Sequence, residues 1–188
     1  PYDQPGLFVA ACEHYRFKAA ATHDECHQFQ AAAEKAFGLF LRVFGEEAVS
    51  DIQWDEKGHF LIFASSDQLD KFLTWYRDNR RANANEVDFL RGSKGVRLIG
   101  ERCQVLVREA TGGQDDPTNF LHRVAHGAGH LAIENYIGHA NTPDWWGEGW
   151  AGTSEVAALG KPAVYCVQYA AGGGTGWTGD RAGYRAAG

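Results

Sequence analysis

The chain has 188 residues, enough to bury one core, and its 44% hydrophobic and 22% charged content excludes wholesale disorder. No apolar run approaches the ~18 residues that a membrane-spanning helix needs, so no membrane span is expected. The net charge of −6 has the wrong sign for a sequence-independent nucleic-acid binder, and the basic cluster Arg77, Arg80, Arg81 is diluted by Asp78, Glu86 and Asp88.

After a short start containing Pro and Gly, His14 to Ala19 alternates Tyr15 and Phe17 with charged neighbours, which predicts a half-buried strand. Thr22 and Glu25 form a capping box, and Cys26, Phe29, Ala33, Phe37, Phe40 and Phe44 then recur at helical spacing up to Gly45. Lys57-Gly58 turns the chain into His59–Ala64, a continuous apolar run that predicts a buried strand. Ser66 caps a short predicted helix carrying Leu69, Phe72, Leu73 and Tyr76, and a long polar surface loop is expected from Asp78 to Gly95.

Val96–Ile99 and Cys103–Val107 predict two strands meeting at Gly100 as an antiparallel hairpin. With Asp116 as N-cap and Pro117 at the first helical position, a helix is expected to about Tyr136, stopping at Gly138. A second helix follows near Trp146 to Leu159, ended by Gly160 and Pro162, and Ala163 to Tyr169 is a further short strand or helix fragment. The order predicts an α+β fold: one domain over residues 1–171, then a glycine-rich tail, 172–188, that is extended or mobile.

Cys12, Cys26, Cys103 and Cys166 form no CxxC pair. They suit either two disulfides in an exported protein, with three connectivities open, or four buried thiols in a cytosolic one. Methionine is absent, so Pro1 is not an initiator and a longer precursor is expected; with the cysteines this favours export, periplasmic or extracellular.

The chemistry concentrates in His126-Gly127-Ala128-Gly129-His130. Residues four apart project from one helix face, so the two imidazoles can converge on one ion. Glu148 follows in Pro143-Asp144-Trp145-Trp146-Gly147-Glu148-Gly149-Trp150-Ala151, after a connection short enough for the second helix to fold back on the first. Two His and a carboxylate with an open fourth position is the ligand set of a catalytic zinc site. The alternative is that both histidines hydrogen-bond in the core and Glu148 begins a helix, where an acid is favourable without metal. Trp145, Trp146 and Trp150 then pack between helices.

The order His-x-x-x-His, a short turn, then Pro-x-Trp-x-x-Glu-Gly-x-Ala resembles the gluzincin metallopeptidases, and is most similar to peptidase-MA-like proteins, from about Phe120 to Glu155. The resemblance implies a zincin-like domain with a small twisted sheet, a helix bearing the paired histidines and a following helix bearing the carboxylate. It makes His126, His130 and Glu148 ligands of zinc. Where the family has His-Glu-x-x-His, with Glu as general base, this chain has Gly127, and loss of a base typically costs ~100- to 10,000-fold in rate. Where some gluzincins carry an acid to orient a histidine, this chain has Gly152, and Glu155 is the residue that can take over.

Glu134 is open to three roles: a substitute base, a fourth ligand closing the site, or an exposed helical carboxylate. Glu155, His139 and Asp144 are weaker candidates for a base, and Tyr165 or Tyr169 for an oxyanion donor. The resulting expectation is a zinc-binding domain that is inactive or severely impaired as a peptidase. It would recognise a peptide or protein partner along the cleft, or serve as an assembly subunit. Its alternatives are an active zinc peptidase with a relocated base and a metal-free structural subunit. Elsewhere, His23, Cys26 and His27 are metal-ligating types around one helical turn, but Cys26 lies on the apolar stripe, which assigns it to the core. No Gly-x-Ser-x-Gly elbow occurs, and Gly172–Gly176 lacks the Lys-Ser/Thr of a phosphate loop.

Overall fold

The computed structural model describes residues 6–51, 57–80, 87–88, 91, 95–98, 102–109, 117–137 and 143–163. Its elements in chain order are β1 (Phe8–Ala11), β2 (Tyr15–Ala19), α1 (His23–Phe44), α2 (Glu47–Asp51), β3 (Gly58–Phe63), α3 (Ser66–Arg80), β4 (Gly95–Leu98), β5 (Cys103–Val107), α4 (Pro117–Ile137) and α5 (Asp144–Leu159). The strands form one sheet in the order β1-β2-β3-β5-β4. The three inner strands β2, β3 and β5 are parallel, and each edge strand pairs antiparallel with its neighbour. The α+β expectation holds. Among the described residues no helix is long and apolar enough to cross a membrane.

Period-two alternation sorts the sheet's side chains into two cores. Tyr15, Phe17, Ala19, Phe60, Ile62 and Leu106 face α1, α4 and α5. Phe63, Cys103, Val105 and Val107 face α3, whose Leu69, Phe72, Leu73 and Tyr76 cover that side. β3 reads as a continuous apolar run because both its faces are covered, as parallel central strands usually are. β5 likewise is buried at every position, although its sequence includes the polar Gln104. That residue shares the Leu106 face, beneath α4.

α1 begins as its capping box predicts. The Thr22 hydroxyl accepts from the Glu25 amide and the Glu25 carboxylate accepts from the Thr22 amide, at 3.3 and 2.8 Å. It ends at Gly45, whose φ of 81° belongs to the region that a side chain disfavours. Two elements lie outside the sequence expectations. β1 carries little periodic signal because it is an exposed edge, with Val9 60% accessible, and α2 is too short to show a helical period. α3 is longer than the short helix expected, and Ser65 rather than Ser66 precedes its first turn, accepting from the Gln68 and Leu69 amides. Of the predicted loop from Asp78 to Gly95, Asp78–Arg80 belong to α3, and Val87, Asp88 and Arg91 are helical. Gly95 opens β4, and the loop's other residues, the stretch 164–169 and the tail 172–188 lie outside the described residues.

Cys12 and Cys26 are free thiols. Two disulfides would engage all four cysteines, so the two-disulfide arrangement is not adopted. Burial first, then the Glu34 carboxylate, push the Cys12 thiol up to about 12, which leaves it protonated and unreactive at neutral pH. Glu34 accepts from the His14 amide at 2.8 Å and meets its Nδ1 at 2.6 Å, tying the β1–β2 turn to α1.

Burial would raise the Glu34 carboxyl, but the bonds from His14 and Cys12 outweigh it and hold the group below its ordinary range. A depressed carboxyl stabilises the fold above the unfolded-state value and loses that contribution as pH falls through the folded one. The stability gap between wild type and Glu34→Gln is therefore expected to be widest at neutral pH and to close below about pH 4, as read by denaturant unfolding.

Candidate metal centre

Along α4, His122, His126, His130 and Glu134 recur every four residues, so their side chains form one row. The opposite side of the helix, with Val124, Ala125, Ala128, Leu131 and Ala132, is buried in the large core. The Tyr15 hydroxyl donates to the Ala128 carbonyl at 3.1 Å, pinning the middle of α4 to the sheet. The row faces α5, and the approach of the two helices depends on Gly129. A Cβ there would stand 2.8 Å from Ser154 Cβ and 2.9 Å from Ala151 Cα, closer than real Cβ atoms come. Trp150 locks the far end, with ring centroids 6.4 Å from Phe40 and 5.4 Å from Phe44.

This approach delivers Glu148 to the two histidines. Its Oε2 is 3.2 Å from His126 Nε2 and its Oε1 is 3.4 Å from His130 Nε2. One ligand-capable atom from each of His126, His130 and Glu148 lies within 4.8 Å of the others. Ligands about 2.0–2.2 Å from a tetrahedral ion stand roughly 3.3–3.6 Å apart; the His130–Glu148 separation of 3.4 Å falls in that range and the His126–Glu148 separation of 3.2 Å just short of it. Burial would raise the Glu148 carboxyl, but hydrogen bonds and charge from His126 and His130 hold it well below the usual carboxylate range. Glu148 is therefore an anion at neutral pH, the state in which a carboxylate ligates.

The other imidazole nitrogens meet carboxylates too. Glu134 Oε1 is 3.0 Å from His130 Nδ1, and Glu155 Oε2 is 3.5 Å from His126 Nδ1. A carboxylate bonded to Nδ1, as Glu134 is to His130, fixes the ring and leaves Nε2 to point at the centre, an arrangement characteristic of metal-ligating histidines; Glu155 stands by His126 at ion-pair distance. Glu134 is buried and engaged on the far side of His130, which suits an orienting partner rather than a base or fourth ligand. Glu155, wholly inaccessible, also meets His122 Nδ1 at 2.6 Å and accepts from the Ala163 amide. Gly152, where some gluzincins carry the orienting acid, faces open space, with nothing within 4 Å of a Cβ built there. Glu155, three residues further along α5, reaches the histidine instead.

Sequence reading missed two contributors. His122 continues the four-residue spacing one turn before His126, a signal that was available. Gln104 left no signal, because it enters from β5. A Cβ at Gly127 would meet its Cγ at 3.2 Å and its Oε1 at 3.3 Å. Its side chain thus lies against the position from which the family's base would project. Gln104 is buried, and its Nε2 has no hydrogen-bond partner among the described residues.

Compared with protein-family models, curated proteins and solved structures, the chain finds no match. The site must be judged on its own residues.

Of the remaining candidates, His139, Tyr165 and Tyr169 lie outside the described residues, and Asp144 opens α5 with its side chain outside them too. Trp150 packs between helices, whereas Trp145 is 62% accessible.

Two substitutions test this construction. Gly129→Ala forces α5 away from α4 and is expected to cost about 1–3 kcal/mol in chemical denaturation, as overpacking does. Glu155→Gln keeps the shape but weakens the hold on His126. It is expected to lower the affinity for zinc by about 10- to 100-fold in competition with a chromogenic chelator.

Proposed function

We propose that this chain is a degenerate gluzincin-like domain that holds zinc through His126, His130 and Glu148, lacks the general base, and now serves a binding or structural role. The observation that carries the reading is the convergence of two imidazole nitrogens and a carboxylate beside a helix position with no side chain. Three acidic side chains also surround the two imidazoles, two of them buried. Carboxylates removed from water need a compensating positive charge, and a divalent cation between His126, His130 and Glu148 would supply it. Two nitrogens and one oxygen suit zinc, whose catalytic sites keep a fourth position open.

Bound zinc would act there as a Lewis acid and lower the pKa of a coordinated water. The chain's own groups then decide whether that water is used. Glu134 and Glu155 are committed to the Nδ1 sides of His130 and His126, away from the ligand-bearing nitrogens. At the base position, Gly127 offers no proton acceptor. Gln104, the nearest side chain to that position, is an amide that can donate or accept a hydrogen bond but cannot carry the proton away at neutral pH. An open coordination position without a base favours holding a carbonyl or carboxylate of a peptide or protein partner over cleaving it.

The test pairs metal analysis with restoration of the base. Protein purified without added metal should contain about one zinc equivalent, lost in His126→Ala/His130→Ala, as expected for a single catalytic-type centre. Wild type should leave peptide substrates intact. Gly127→Glu must displace the Gln104 side chain, so Gly127→Glu/Gln104→Ala is the variant expected to gain cleavage, by ~100-fold or more if the base alone was missing. Cleavage by the wild type, abolished by Glu134→Ala or Glu155→Ala, would instead identify a relocated base. Zinc content that is nil and unaltered by the double His substitution would leave a metal-free scaffold.

A further inference from the structure

At the opposite end of the sequence, α1 opens on His23, and His27 stands one turn along the same exposed face. Their Nε2 atoms are 3.2 Å apart, with the rings T-shaped at a centroid separation of 4.3 Å. Two imidazoles sharing an ion at 2.0–2.1 Å have nitrogens about 2.9–3.4 Å apart for bond angles between square and tetrahedral. We propose that His23 and His27 form a second, surface metal site for a late first-row divalent cation, with Cu2+ bound most tightly.

Surrounding groups favour that use of the pair. Asp24 Oδ1 lies 3.6 Å from His23 Nδ1 and sets a negative charge beside the pair. Phe8 of β1 meets the His23 ring edge-on at 5.6 Å and restricts its rotation. A helix N-terminus repels cations, but Asp24 and Glu25 occupy this first turn and offset that field, although Glu25 also pairs with Arg108. Cys26 does not join the site. Its side chain is buried in the core while the two imidazoles are exposed, and burial pushes its thiol up, so it offers the pair no thiolate.

A site of two nitrogen donors has no geometry that rejects Cu2+, so the intrinsic order of affinities applies and copper exceeds nickel and zinc. Two protein ligands leave further coordination positions to water or to a donor from another molecule. The site is thus open and exchangeable, unlike the enclosed centre between α4 and α5. Without a metal, the same separation serves one N–H···N hydrogen bond between the rings. The two states differ in what added copper does.

The experiment is a calorimetric titration of the full chain with Cu2+, paired with electron paramagnetic resonance of the copper-loaded protein. Wild type should take up one more equivalent than His27→Ala, with superhyperfine structure from two nitrogens at the extra site. Alanine is the best helix former, so α1 should persist in the variant. Affinity at that equivalent should fall by about 100-fold or more, because a ligand is lost rather than a supporting group. If His27→Ala titrates like wild type, the proposal is overturned. The central centre fails separately: it would leave His126→Ala/His130→Ala with the wild-type stoichiometry while His27→Ala still loses its equivalent.

Discussion

The site rests on a contact in which one side chain is missing. Gly129 lets the backbone of α5 at Ala151 and the side chain of Ser154 approach α4 to a distance that no Cβ permits. Helix interiors resist glycine by roughly 1 kcal/mol relative to alanine, so its presence needs a compensating gain. Here the gain is the burial of α5 against α4 and α1, which fixes the height and rotation at which Glu148 meets His126 and His130. The aromatic contacts of Trp150 with Phe40 and Phe44 hold the same alignment from α1. Moving α5 outward by the width of a methyl group would separate the carboxylate from both imidazoles together.

Charge placement follows from that geometry. The Nε2 atoms of His126 and His130 meet Glu148, and their Nδ1 atoms meet Glu155 and Glu134. Glu155 is held in turn by His122 and the Ala163 amide, so its position does not depend on His126 alone. A wholly buried carboxylate with fixed partners is costly to disturb, because removing one partner strands the charge. Each of the two imidazoles thus meets carboxylates on both ring nitrogens, and orienting partners of this kind are what a metal site needs from its surroundings.

Much of this was legible in the sequence, for reasons that differ by element. α1 announces itself through a capping box and an aromatic stripe over 22 residues, both local properties. His126, His130 and Glu148 were legible because helical spacing and a short connection are enough to bring them together. β1 was not, because an exposed edge strand needs no apolar alternation, and α2, at five residues, is too short for the helical period to repeat. The partners of the histidines were only partly legible. Glu155 was recognisable as an acid near the right turn of α5, while the commitment of Glu134 to His130 Nδ1 could not be separated from its alternatives without the fold. Gln104 is the clearest limit. Its meaning depends on β5 lying beneath α4, a relation that no spacing along the chain encodes.

That limit changes how Gly127 is understood. Considered as a single position, it is only a place without a side chain, where the gluzincins it resembles carry a base. In the fold the space is not empty, because the Gln104 side chain comes within about van der Waals range of the missing Cβ. A carboxylate at 127 and a glutamine at 104 compete for one volume in a core where a few tenths of an ångström are felt. The two residues therefore have to be considered as a pair, one small on α4 and one long on β5. The pair places a neutral amide, with an Nε2 that has no hydrogen-bond partner among the described residues, in the region from which a negatively charged base would project. Such a group adds no charge to Glu134, Glu148 and Glu155, whereas a fourth carboxylate beside them would raise the cost of holding them together without a cation. On the reading proposed above, the pair suits a centre that holds a cation without a base.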